Sequence, residues 1–232
     1  LTQSFARARQ ETLGHVMDLM QDLLAIDNDK LADIKSMEEL YDEIRDDPLY
    51  GRLFEIANVH TAEQFGQDVP EGVYEEMASA IDDGDKWAEI RSQDWFASAQ
   101  ATAGEQSFFH WELEYPEVFF GEDGNKLGDA GFDAVVGNPP YVVVEGQIED
   151  YLRGKYDSPQ YFVDLYHVFI EKGIDLCSLG GQFGYIVPEP WLTQEKTESL
   201  RSVVLEDSWI RRITQFDKKV FEDATVDTIT VH

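Results

Sequence analysis

Phe132-Asp-Ala-Val-Val-Gly-Asn-Pro-Pro-Tyr141 is the stretch whose reading decides the fold. Ala134 to Val136 is apolar without alternation, which suits a strand covered on both faces and hence a parallel sheet. A stiff polar loop follows at once, because two consecutive prolines set two φ angles and remove two amide donors. In open α/β sheets ligands sit at the carboxyl ends of strands, so such a loop is where chemistry is expected. The stretch therefore predicts a central strand over residues 132–137 of a mostly parallel sheet, with Asn138 to Tyr141 as its exposed C-terminal loop. An edge position for that strand, or an Asn138 side chain buried against the helical region, would count heavily against a catalytic role.

Working outward, Tyr161, Phe162, Leu165, Tyr166, Phe169, Ile170, Gly173, Ile174 and Cys177 form one wide helical stripe. Gly180-Gly181 is expected to end that helix before a strand at Phe183 to Val187. Cys177 and His167 read as packing residues within it. A helix near Glu195 to Leu205, a strand near Ile210 to Phe216 and a strand within Val226 to His232 complete a strand-helix-strand series, so the class is α/β. Upstream lie short β-like runs at Phe108 to Trp111 and Val118 to Phe120, and the polar glycine turns Gly121-Glu-Asp-Gly124-Asn and Gly128-Asp-Ala-Gly131 stand between the second of them and the run at Phe132 to Val136. From Leu1 to about Gly104 the periodicity is helical, with Leu13, Val16, Met17, Met20, Leu23 and Leu24 on one face. Ser36 with Glu39 reads as a capping box, and Asp47-Pro48 as an N-cap followed by proline at the first helical position. Shorter helices follow Pro70, Gly84 and Ser92. The chain thus divides into a helical region, residues 1–104, and an α/β region, residues 105–232.

The 232 residues carry 18 basic and 47 acidic side chains, a formal net charge of −29. Apolar residues are 43% of the chain, enough for a core. The acidity argues against a free-standing phosphate-binding module. Carboxylates are spread along the chain, which reads as a surface adapted to high salt, where self-repulsion is screened; an acidic partner-binding surface is the competing reading. The sole cysteine, Cys177, excludes an internal disulfide and structural zinc, and no metal site is expected. No apolar run is long enough to span a bilayer and no leader opens the chain, so a soluble, cytoplasmic protein is expected. Leu1 and the strand-like final residues both look like cut ends, as in a segment of a longer enzyme.

A loop of this kind suits transfer to an exocyclic aromatic amine, whose lone pair is delocalised into its ring. If the Asn138 side-chain oxygen and the Pro139 carbonyl each accept one N–H, the lone pair turns toward an incoming electrophile, and Tyr141 can stack on the ring.

The loop resembles motif IV of the amino-methyltransferases, the Asn-Pro-Pro-Tyr of N6-adenine DNA methylases. Phe109-His-Trp-Glu-Leu-Glu-Tyr-Pro-Glu-Val-Phe119, Gly184-Tyr-Ile-Val-Pro188 and Val220-Phe-Glu-Asp-Ala-Thr-Val-Asp227 extend the resemblance to the large adenine-specific enzymes of restriction–modification systems, especially the fused type IIG kind. What the resemblance implies is an internal segment of an S-adenosylmethionine-dependent enzyme: part of a Rossmann-like methyltransferase sheet preceded by a helical insertion. It implies Asn138, Pro139, Pro140 and Tyr141 as catalytic residues and Tyr141 with Phe221 as the stack on a base flipped from double-stranded DNA. Asn138 and Pro139 would also border the cofactor. Methylation of cytosine N4 or a protein glutamine stays open, as does a non-catalytic interaction segment.

The family's glycine-rich cofactor loop has no match, and is expected upstream of Leu1, as a target-recognition domain is beyond His232. Gly180-Gly181-Gln-Phe-Gly184 is in the wrong order for a nucleotide loop and reads as a turn. His110-Trp-Glu112 lacks the Cys partners of a deaminase and reads as strand packing. Glu195-Lys196 makes no nuclease site. The 232 residues alone are therefore expected to fold without methylating DNA and to bind the cofactor weakly.

The acidic surface makes one prediction. Thermal melting in a potassium chloride series should give a higher midpoint at molar salt than in dilute buffer; the opposite order would refute the high-salt reading.

Overall fold

The computed structural model describes residues 3–26, 30–216 and 228–232. The chain forms two compact units, Leu1–Gly128 and Asp129–His232.

Helix starts in the first unit follow local chemistry. Its helices are α1 (Gln3–Leu24), α2 (Leu31–Asp46), α3 (Pro48–Gln64), α4 (Val73–Ala80), α5 (Gly84–Arg91), α6 (Asp94–Gln106), and the single turns α7 (Trp111–Glu114) and α8 (Pro116–Phe119). The Asp47 carboxylate accepts the Tyr50 amide at 2.8 Å, and Pro48 sits where its missing N–H costs nothing. The helix so started buries Tyr50, Leu53, Ile56, Val59 and Ala62, and packs on α6, whose Ala99 and Ala103 allow close approach. Leu13, Val16, Met17 and Met20 of α1 are buried as their spacing predicts.

A polar chain runs through the α3–α6 contact. His110 Nε2 meets Asn58 Oδ1 at 2.7 Å, Asn58 Nδ2 donates to Gln100 Oε1 at 2.8 Å, and Gln100 Nε2 donates to the Glu55 carbonyl at 2.9 Å. The Glu55 carboxylate accepts from the Trp87 indole at 2.6 Å and pairs with Arg91 at 2.9 Å.

Three expectations need correction in this unit. α2 begins at Leu31, five residues before the expected cap, and Ser36 is interior, donating back to the Ala32 carbonyl at 3.2 Å. The runs at Phe108 to Trp111 and Val118 to Phe120 contribute no strand. The Leu113 and Glu114 amides return to the His110 carbonyl, Pro116 opens a second turn, and only one isolated bridge, Phe120 to Lys126, has β geometry. Hence His110 precedes a helical turn instead of packing in a strand.

The second unit contains β1 (Phe132–Gly137), β2 (Val143–Val144), α9 (Gln147–Lys155), β3 (Val163–Asp164), α10 (Leu165–Asp175), β4 (Cys177–Pro188), α11 (Glu198–Asp207), β5 (Ile213–Gln215) and β6 (Thr228–Val231). Four strands form a sheet in the order β1-β4-β6-β5, and β2 pairs with β3 in a separate ladder. Tyr185 and Val187 of β4 with Ile229 and Val231 of β6 make one apolar face, covered by Tyr166 and Ile170 of α10 and Leu200 and Val204 of α11, with Trp191 between. The class is α/β, with helices before the sheet, as expected.

The sheet is mixed, however, not mostly parallel. β1 runs parallel to β4, while β4–β6 and β5–β6 are antiparallel, and among the described residues β1 is an edge strand. Val135 packs toward the core, but Val136 is 78% exposed. Gly180 and Gly181 lie inside β4, where the register slips against β1. Gly180 has φ +84°, and a Cβ on Gly181 would come within 2.8 Å of the Phe132 carbonyl oxygen, so both must be glycine.

The Asp47 cap makes a direct prediction. Asp47→Ala should lower unfolding free energy by about 1 kcal/mol in urea titration, and Asp47→Asn should keep most of it. Equal losses in both variants would show that the cap hydrogen bond is not what Asp47 contributes.

Candidate active site

The β1–β4 ladder ends at the pair Gly137 and Tyr185. Gly137 is there for space: a Cβ would stand 3.1 Å from the Tyr185 ring. Pro139 and Pro140 follow and have no N–H with which to extend the pairing. Asn138 and Pro140 are exposed, Pro139 is buried, and Tyr141 is half-buried. The chain is tied down again beyond the loop, where the Leu165 amide donates to the Val142 carbonyl at 2.9 Å and β2 pairs with β3. The loop is thus held at both ends, with the Asn138 side chain on its open side.

Tyr141 joins the loop to the sheet. Its ring packs against the apolar face and meets Tyr166 edge-on, with centroids 6.1 Å apart at 80°. Its hydroxyl lies 2.9 Å from the Ile186 carbonyl of β4 and 3.0 Å from Asn138 Oδ1. Burial raises its pKa, which keeps the phenol protonated and able to donate. Behind it Tyr166 meets His167 at 4.3 Å, and burial raises the Tyr166 pKa as well. Asp164, at the N-terminus of α10, is likewise pushed up by burial, against the pull of the Tyr166 and Val142 amides.

Of the residues singled out from sequence, Asn138 and Tyr141 are brought together, Pro139 forms the buried turn between them, and Pro140 faces solvent. Phe221 lies outside the described residues. The Ile186 carbonyl was not among them, since a backbone acceptor leaves no mark in sequence; Tyr166, read as one residue of a helical stripe, stands against Tyr141. The edge position of β1 counts heavily against the expected catalytic loop, whereas the Asn138 side chain is exposed and not buried. A cleft of about 570 Å³ lies at the other end of β4, lined by Leu179, Gly180, Gly181, Trp209, Arg211 and His232. It lies toward the opposite end of β4 from the loop that carries Asn138.

Among the described residues no glycine-rich turn leads from a strand into a helix, and Gly181 lies against the Phe132 carbonyl of β1. Nor does any group of three or more His, Cys, Asp or Glu among them suit a metal ion, and no helix is long and apolar enough to cross a membrane.

Fold and loop together place an exposed asparagine on a proline-stiffened turn at the end of a strand of an α/β unit. The family model for the Eco57I restriction-modification methylase matches residues 23–221, and the chain belongs to that family. It is 31% identical over 119 residues to the type II restriction enzyme and methyltransferase RM.Eco57I of Escherichia coli, covering 48% of this chain and 12% of that one. To the type II methyltransferase M.PaeR7I of Pseudomonas aeruginosa it is 35% identical over 104 residues, covering 44% of this chain and 17% of that one. The matches thus span less than a fifth of either relative's length. A solved Listeria monocytogenes structure, described as a class I S-adenosylmethionine-dependent methyltransferase, aligns over 99% of this chain and 88% of its own at 12% identity, with a TM-score of 0.38, too low to carry an argument.

His167, 2% exposed, finds no hydrogen-bond partner for Nε2 among the described residues, and burial lowers its pKa to about 4. A histidine held neutral in the fold adds nothing to instability above its unfolded pKa of about 6.5 and destabilises as pH falls below it. Between pH 7 and pH 5 this costs about 2 kcal/mol. Asp164, raised by burial, works in the opposite direction, so the test compares variants: urea unfolding of His167→Phe should lose less stability over that interval than the parent. Parallel profiles would refute the assignment.

Proposed function

We propose that the chain is the substrate-loop segment of a DNA adenine N6-methyltransferase of a restriction–modification system, of the type IIG kind. The observation that carries this is the exposed Asn138 amide on a proline-stiffened loop that leaves β1 and is anchored to β4 through Tyr141. Family membership supports a methylase, and the E. coli relative, named as both restriction enzyme and methyltransferase, supports DNA as substrate and a fused nuclease elsewhere in the protein.

In this reading S-adenosylmethionine, when bound, supplies an electrophilic methyl group. Its main binding loop lies in another part of the complete gene product, with Asn138 and Pro139 at its border. Adenine leaves the duplex, since N6 is otherwise held in pairing. The Asn138 side-chain oxygen and the Pro139 carbonyl accept the two N6 hydrogens, which concentrates the lone pair on nitrogen, and Tyr141 offers its ring to the base, with Phe221 on the other side. Residues 1–104 serve as a helical insertion and 105–232 as the distal part of the catalytic domain. The enzyme acts in the cytoplasm, and its acidic surface fits a salt-loving source.

The edge position of β1 favours one alternative, a non-catalytic interaction segment. Mass spectrometry of DNA treated with the complete gene product separates the readings. N6-methyladenine is expected; N4-methylcytosine, a methylated glutamine or no product would overturn it. Asn138→Ala should slow single-turnover transfer by on the order of 100-fold, with a much smaller loss of DNA affinity, because its contact is strongest in the transition state. Equal losses in both would reduce Asn138 to DNA positioning.

A further inference from the structure

The Tyr141 hydroxyl has one proton and two acceptors within reach, the Ile186 carbonyl at 2.9 Å and Asn138 Oδ1 at 3.0 Å. It cannot give full hydrogen bonds to both. The two acceptors differ in freedom. The Ile186 carbonyl belongs to β4, just past the last residue paired with β1, where the prolines provide no N–H, so it is fixed and the hydroxyl is the donor that reaches it. The Asn138 amide is exposed and can turn through 180° about its last torsion. With the proton on Ile186, the phenol oxygen faces Asn138 with a lone pair, and the complementary group is Nδ2, not Oδ1. All three groups are then satisfied: Asn138 Nδ2 donates to the hydroxyl, and the hydroxyl donates to Ile186.

We infer that Tyr141 is a positioning residue whose hydroxyl, locked to the Ile186 carbonyl, turns the Asn138 amide so that Oδ1 points away from the sheet and toward an amine substrate. The inference rests on the reading of Asn138 as the acceptor for that amine, and gives the tyrosine a second task besides offering its ring. It also gives the polarity of the relay. A main-chain oxygen of β4 sets the phenol proton, the phenol sets the amide, and the amide presents an acceptor where a donor would otherwise be equally favoured. Burial of the phenol keeps its proton in place.

A mutant cycle in the complete gene product tests this. Tyr141→Phe keeps the ring, so the fluorescence of 2-aminopurine at the target position and KM for DNA should stay near the parent values, while kcat falls about tenfold because the amide is no longer oriented. In Asn138→Asp both ends of the side chain are acceptors and orientation ceases to matter, so adding Tyr141→Phe should change kcat by less than about twofold. An equal fall in both backgrounds, or no fall from Tyr141→Phe alone, overturns the inference. Should Asn138→Asp fold poorly, 15N-asparagine labelling of the 232-residue chain provides the second measurement. One Asn138 side-chain amide proton should exchange slowly and shift in Tyr141→Phe; identical amide signals in the two proteins overturn it. A parent enzyme that transfers no methyl to adenine refutes the underlying functional reading instead, whatever the amide signals show.

Discussion

Residues 139 and 140 have no amide hydrogen, and a strand that reaches them must leave its sheet. This constraint orders the rest of the second unit. The β1–β4 ladder stops at Gly137 and Tyr185, and the carbonyl it leaves unpaired on β4, that of Ile186, takes its donor from a side chain four residues beyond the end of β1. The loop between is short and stiff, and the same prolines that end the pairing limit the conformations available to Asn138, which precedes them.

What lies behind the loop is as relevant as what it presents. Tyr141, Tyr166 and His167 meet in successive edge-on contacts, and Tyr166 belongs to the apolar cluster of α10, β4 and β6. A polar loop with an aromatic backing has one wet face and one dry face. Groups on the dry side shift toward their neutral forms, phenols and carboxyl upward and imidazole downward. Sites held on such supports keep their geometry better than loops that are free on both sides.

Local chemistry was legible in the sequence and long-range pairing was not. Asp47-Pro48 reads correctly because cap and amide are three residues apart. The limits of β1 read correctly because Gly131, at φ +144° and closed against Cys177 and Ser178, stands before it and Pro139 after it. Phe108 to Trp111 misleads because aromatic residues in a short run resemble a strand, while the turn that follows is decided by two amides returning to one carbonyl. The place of β1 in the sheet could not be read at all. An unbroken apolar run records a tendency to be covered, not which strand provides the cover. The partner of the Tyr141 hydroxyl, 45 residues away, is equally silent.

The outer side of β1 has a consequence for handling the protein. Among the described residues it is a parallel edge with Val136 bare, the kind of surface on which another chain can add a strand. Asp133 and a net charge of −29 oppose that addition in dilute buffer, by keeping molecules apart. Concentrated salt weakens that repulsion while it relieves the strain between surface carboxylates. The same screening that quiets the carboxylates thus lets the open strand meet its neighbours more often.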